Sequence, residues 1–125
     1  LIVHGTPQIN GDGIFGRTCD DDIRAMMQNH YEATGNATPI TLLVCAHTHV
    51  PLLRYVDRTL IVNVGATGLP FNGDARAQYA VFTWKNGQWD AEFKRVEYST
   101  EHTMQAAKTN NFWDGGGPLS RIIMQ

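Results

Sequence analysis

Two apolar runs in this chain stop at a histidine, and the way they stop limits the fold more than any other feature. Ile40-Thr41-Leu42-Leu43-Val44-Cys45-Ala46 ends at His47-Thr48-His49, and Leu1-Ile2-Val3 ends at His4-Gly5. A short continuous apolar run bounded by turn residues reads as a fully buried strand. Both runs hand over to a loop of small residues, and strand ends at one edge of a sheet converge in space. Ligand sites of open α/β folds gather at such an edge.

Between the runs lies "HGTPQINGDGIFGRTC", with four glycines and one proline, which reads as a loop. Asp20-Asp21-Asp22 then precede Ile23, Met26, Met27, Tyr31 and Thr34, a stripe at helical spacing that Gly35 stops. "LLRYV" and "TLIVNV" flank Asp57-Arg58 as a hairpin. A second glycine-rich loop, "GATGLPFNGDARA", leads to "QYAVFTW" and "WDAEFKRVEY", joined through Asn86-Gly87, a strong hairpin turn signal. A helix is expected near Thr100 to Thr109, and a last short helix near Pro118. The order of strand, helix, strand and then hairpins predicts an α/β, α+β-like layered domain with a mixed sheet, residues 1–125 forming one domain.

The chain has 125 residues, enough to bury a core without disulfide staples. Net charge is −2, which offers no polyanion-binding surface and no basic membrane face. No apolar run approaches the length of a membrane span. Cys19 and Cys45 form no disulfide framework, and a reducing, cytoplasmic setting is expected. The chain opens inside an apolar run with no initiating Met or polar leader, so it is expected to be the C-terminal part of a longer protein.

Of the five histidines, His4, His47 and His49 stand at strand ends. On an extended backbone an i, i+2 pair points to one side, which predicts that His47 and His49 share one metal or serve two adjacent ones. Neutral imidazole suits Zn, Fe, Ni and related divalent ions. Gly5 and Ala46 leave room for an ion and a substrate. The plain alternative is that each histidine is hydrogen-bonded at a strand end, and three together, two of them paired, favour ligation. His30 and His102 are expected to be structural or exposed. The Asp20 to Asp22 run is read as a helix N-terminus, where carboxylates cap free N–H groups and oppose the macrodipole. Arg17, Arg54 and Arg76 are candidate phosphate donors; Arg76, in the glycine-rich loop, is the candidate substrate-binding residue, with an Asp74 contact as its alternative. Phe82, Trp84 and Trp89 belong to the second hairpin, as core or sheet face.

Together "LIVHGTP", "VCAHTHVP" and "LIVNVGATGLPFNGDARAQYAVF" resemble the C-terminal half of calcineurin-like metallophosphoesterases of the single-domain bacterial kind. The resemblance runs from Leu1 to about Trp84. It implies the C-terminal half of a layered α/β/β/α sandwich, with His4 and His47 ligating one metal and His49 the other. Ala46 replaces the glycine usual before His-x-His, and Val64 and Ala66 stand where Pro and Ser are common. The family's Asp-x-His, Gly-Asp-x-x-Asp and Gly-Asn-His motifs do not occur: Gly11-Asp12 is followed by Gly-Ile-Phe, and Gly35-Asn36 by Ala37.

The resemblance implies two divalent ions, Mn, Fe, Zn or Ni, bridged by a carboxylate and a water. The acidified water attacks phosphorus in line while the ions stabilise the phosphoryl oxygens. The implied substrate is a phosphomonoester, phosphodiester or nucleotide. Because the bridging carboxylate and the general-acid histidine belong to the absent motifs, the chain alone is expected to bind metal poorly and hydrolyse little. Association of copies through an exposed sheet edge is also expected. The rival reading is a non-catalytic scaffold of the same fold. A metal-free phosphoesterase built on two His-x-Ser/Thr motifs is a poor match, since Thr48 follows His47 directly and no second copy exists.

Overall fold

The computed structural model describes residues 1–36 and 38–110. Helix α1 spans Asp20–Thr34, strand β1 Leu42–Cys45, β2 Leu52–Val56, β3 Thr59–Asn63, β4 Ala77–Lys85 and β5 Gln88–Val96; helix α2 spans Thr100–Thr109. The last helix expected near Pro118 lies outside the described residues.

Strands β1, β3 and β2 form a mixed sheet in that order, β1 parallel to β3 and β2 antiparallel to it. The chain start extends this sheet by one bridge, Ile2 beside Val44 in parallel, with Val3 N–H donating to the Val44 carbonyl at 2.9 Å. The expected buried strand there is corrected in one respect. Leu1 and Val3 pack on the core, but Ile2 is 79% exposed. Successive side chains of an extended segment point to opposite faces, so with Leu1 and Val3 toward the core Ile2 points away from it.

β3 is buried along its whole length, which matches an apolar run without alternation. On one face of the sheet, Leu43, Cys45 and Ile61 form a cluster with Ile23 and Met27 of α1 and with Ile14, Ile40 and Val56. Each fully buried aliphatic side chain contributes roughly 1.5–3 kcal/mol. The helical stripe therefore seats α1 as its spacing predicts, except at Thr34. That residue is exposed and its hydroxyl donates back to the His30 carbonyl at 2.7 Å. Gly35 ends the helix at φ 65, its N–H on the Tyr31 carbonyl at 2.9 Å. Arg24 then clamps the β2–β3 turn, meeting both carboxylate oxygens of Asp57 at 2.8 and 2.9 Å.

Strands β4 and β5 form a separate two-stranded hairpin. Trp84 and Trp89 face each other across it, ring centroids 5.2 Å apart in an edge-to-face arrangement. Trp84 is half exposed, so these rings belong to a sheet face. The hairpin docks on the first sheet through polar contacts: the Tyr55 hydroxyl donates to the Trp89 carbonyl at 2.6 Å and the Trp89 indole N–H to Thr41 Oγ1 at 3.2 Å.

Candidate functional site

Parallel pairing decides where the histidines meet. The segment ending at Val3 and strand β1 run the same way, so His4 and His47 leave the sheet at the same edge. β3 ends there too, with Asn63 beside Cys45. The Ala46 N–H donates to the His4 carbonyl at 2.9 Å, tying the two exits together one residue before His47. As a result His4 Nε2 and His47 Nδ1 stand 3.2 Å apart, the rings edge to face with centroids at 5.1 Å.

The backbone around the second motif is not extended. His47 and His49 both lie in the left-handed region, at φ 60 and φ 57, so the expectation of two rings aligned by a strand is corrected. For a side chain with a Cβ that conformation costs about 1 kcal/mol each, and such strain gathers at functional sites. Thr48, buried between them, bends the loop: its N–H reaches the Ala46 carbonyl at 2.6 Å, and its hydroxyl accepts from Val50 N–H at 3.3 Å. The bend sends His49 elsewhere. Its Nδ1 lies 2.8 Å from the Leu69 carbonyl, and its ring stacks on Phe71 with centroids 5.1 Å apart. A carbonyl only accepts, so that contact puts the proton on Nδ1 and leaves the Nε2 lone pair as the free donor.

Asn63, fully buried, holds this loop. Its amide nitrogen donates to the Ala46 carbonyl and, at 2.9 Å, to Thr48 Oγ1, while its Oδ1 accepts from Gly65 N–H at 3.0 Å. Two glycines let the 5–19 loop close over the same place. A Cβ on Gly13 would stand 2.6 Å from the Thr48 methyl, and one on Gly5 only 2.3 Å from the Asp12 carbonyl. Sequence reasoning passed over Asn63; the one available signal was a polar amide closing an apolar run just before glycine.

The other candidates have local partners. Arg76 meets both carboxylate oxygens of Asp74, at 2.8 and 2.7 Å. Arg95 adds a third contact to the same carboxylate at 3.0 Å. Hydrogen bonding to Arg76 holds Asp74 down at about 2. Arg54 donates to the Gly16 and Thr18 carbonyls, and Arg17 lies over the Phe15 ring at 5.1 Å. The acidic run stands in the first turn of α1 without a side-chain cap on its N–H groups. Asp21 pairs with Arg24 at 2.6 Å and Asp20 with Arg54 at 3.4 Å, so the macrodipole and these cations account for the run in place of capping. Cys45 is buried and desolvation pushes its thiol up to about 11, so on its own it is no thiolate nucleophile at neutral pH.

The structure thus brings His4 and His47 together and sets His49 apart against Leu69 and Phe71. Among the described residues no three His, Cys, Asp or Glu side chains gather closely enough to hold one ion. The pair itself fits a shared cation. Two nitrogens bound at about 2.1 Å to one ion stand roughly 3.0–3.4 Å apart for bond angles between octahedral and tetrahedral, and the observed 3.2 Å lies inside that span.

No protein-family model and no curated protein matches the sequence. Among solved structures, hypothetical protein PH1004 from Pyrococcus horikoshii superposes with a TM-score of 0.70 at 20% identity, over 98% of this chain and 43% of that one. A metallophosphoesterase from Sphaerobacter thermophilus superposes with a TM-score of 0.63 at 26% identity, over 88% of this chain and 50% of that one. The fold is calcineurin-like metallophosphoesterase-like. It is an α+β arrangement of helices with mixed and antiparallel sheets, and the chain spans about half the length of the solved structures it matches. No helix among the described residues is long and apolar enough to cross a membrane.

Proposed function

We propose that this chain supplies the histidine donors of a metal-dependent phosphoesterase. His4 and His47 share one divalent ion, and His49 offers its free Nε2 to a second. The reading is carried by the 3.2 Å separation of the His4 and His47 nitrogens at the common edge of parallel strands. The likeness to the Sphaerobacter metallophosphoesterase supports it at the level of fold. The ions would supply Lewis acidity toward a phosphoryl oxygen and an acidified water as nucleophile.

The chain's own residues hold and orient. Asn63 and Thr48 keep both motif histidines in their left-handed conformations, and the Leu69 carbonyl sets the His49 tautomer. Whatever carboxylate offsets the ionic charge, and whatever acid protonates the leaving group, comes from outside the described residues' histidine cluster. On this reading the chain is one portion of a larger phosphoesterase domain. The substrates are phosphomonoesters, phosphodiesters or nucleotides.

Manganese titration of the full-length protein by calorimetry, followed by hydrolysis of bis-nitrophenyl phosphate, tests the reading. His47→Ala and His4→Ala are each expected to weaken manganese binding tenfold or more and to abolish turnover. Manganese binding unchanged in both variants would favour the scaffold alternative and remove the enzyme reading.

A further inference from the structure

The glycine-rich loop between β3 and β4 must stay in one place for His49 to do so. Leu69 offers its carbonyl to His49 Nδ1 at 2.8 Å, Phe71 stacks on the imidazole, and the Phe71 N–H donates to the His49 carbonyl at 3.3 Å. Leu69 itself lies in the left-handed region at φ 54, a conformation that a leucine keeps only where its surroundings impose it. The inner side of this loop is held by Gln78, the second residue of β4, which is 2% exposed. Its backbone N–H closes the loop on the Ala66 carbonyl at 2.8 Å. Its side-chain nitrogen donates to Asn72 Oδ1 at 3.1 Å and to the Asp74 carbonyl at 3.5 Å, fastening the turn that follows Phe71.

The orientation of that amide is fixed twice. A carbonyl only accepts, and Asn72 Oδ1 already accepts from the Asp74 N–H at 3.3 Å, so the loop needs a donor from Gln78. Oε1 is thereby turned toward Gly65, where a Cβ would stand 2.5 Å from it, and among the described residues it has no hydrogen-bond partner. A buried acceptor without a partner carries its desolvation cost uncompensated. Core packing alone does not call for an amide here, since an apolar chain of similar length would fill the space without the unpaired oxygen. The donor serves the loop.

We propose that Gln78 is a positioning residue for His49. By holding the Asn72–Asp74 turn it keeps the Leu69 carbonyl and the Phe71 ring where they orient the imidazole and leave Nε2 as its free donor. The inference rests on the reading of His49 as a metal donor and adds to it the residue, on another strand, that sets the donor's direction.

The test uses the full-length protein and begins without metal. Ring-nitrogen NMR of labelled histidine, at about pH 8.5 and so above the ordinary imidazole range, should show His49 of the parent in the Nδ1–H form. Gln78→Met, of similar length but without the donor, should keep the thermal midpoint within a few degrees and shift His49 to a mixture of tautomers. Asn72→Ala, an exposed change that removes the amide's acceptor, should shift it the same way. Gly87→Ala, which weakens the distant β4–β5 turn, should lower the midpoint and leave the His49 signals alone. In calorimetry with manganese, the step lost in His49→Ala should be weakened roughly tenfold in Gln78→Met, as for outer partners of a metal ligand. The step lost in His47→Ala should be unchanged. A parent His49 in the other tautomer, His49 signals unmoved in Gln78→Met, or an equal shift in Gly87→Ala would each overturn the proposal, as would a His49 manganese step of full strength in Gln78→Met. Should Gln78→Met fail to fold, unmoved signals in Asn72→Ala overturn it equally. If the His49 ring shifts as expected but the parent binds no manganese, the positioning stands and the metal-dependent reading falls.

Discussion

Asn63 shows how much one buried amide can decide. Its three contacts reach the carbonyl of half-buried Ala46, the hydroxyl of buried Thr48 and the N–H of buried Gly65. Removing one member of a buried hydrogen-bond set leaves its partners carrying their desolvation cost. Asn63→Ala is expected to destabilise the fold by about 2–3 kcal/mol. A drop in the urea midpoint with little change in slope checks this; an unchanged midpoint would mean the loop holds itself. The histidines were legible in the sequence because their side chains carry distinctive chemistry. Asn63 was not, because its partners lie at Ala46 and Thr48, and nothing local announces contacts across that separation.

Elements that answer to local rules are legible in the sequence. The β4–β5 hairpin turns at Asn86-Gly87 with φ 52 and 78, the two positive values that a tight right-twisted turn demands. Gly87→Ala places a Cβ in that conformation and should cost about 1 kcal/mol, measured as a lower thermal midpoint. No loss would show that the turn relaxes to another type. Helix α1 was equally legible, since its 3.6-residue period and its glycine stop are local. Period-two spacing predicts an extended His-x-His segment because it assumes the strand continues. In the molecule β1 ends at Cys45, and Thr48 with Asn63 turns the chain away.

The whole molecule is tied together by contacts that no single element contains. Asp74 joins the glycine-rich loop to β5 through Arg95 and to its own loop through Arg76. Its carboxyl is held at about 2, chiefly by the Arg76 hydrogen bond, below an unfolded value of about 3.9. A depressed carboxylate stabilises the fold fully above the unfolded value, and that contribution fades as pH falls from about 4 to about 2. Asp57, lowered in the same direction by Arg24, adds to the trend. Asp74→Asn should therefore lower the thermal midpoint at pH 7 but narrow the gap between variant and parent at pH 3. A gap of equal size at both values would show that the ion pairs contribute nothing to folding.

Taken by itself, the sequence determined the elements: apolar runs that must be buried, a helical stripe with its stop, and an Asn-Gly turn. It also marked three imidazoles placed where strands end. These follow from side-chain chemistry and from periods of two and 3.6, which depend on neighbours along the chain. Only the tertiary structure decided that the first run and β1 pair in parallel, bringing His4 to within 3.2 Å of His47. It also decided that His49 turns to Leu69 and Phe71. Those outcomes come from register and from a buried amide bridging distant residues, quantities set by which surfaces meet once the chain has closed on itself.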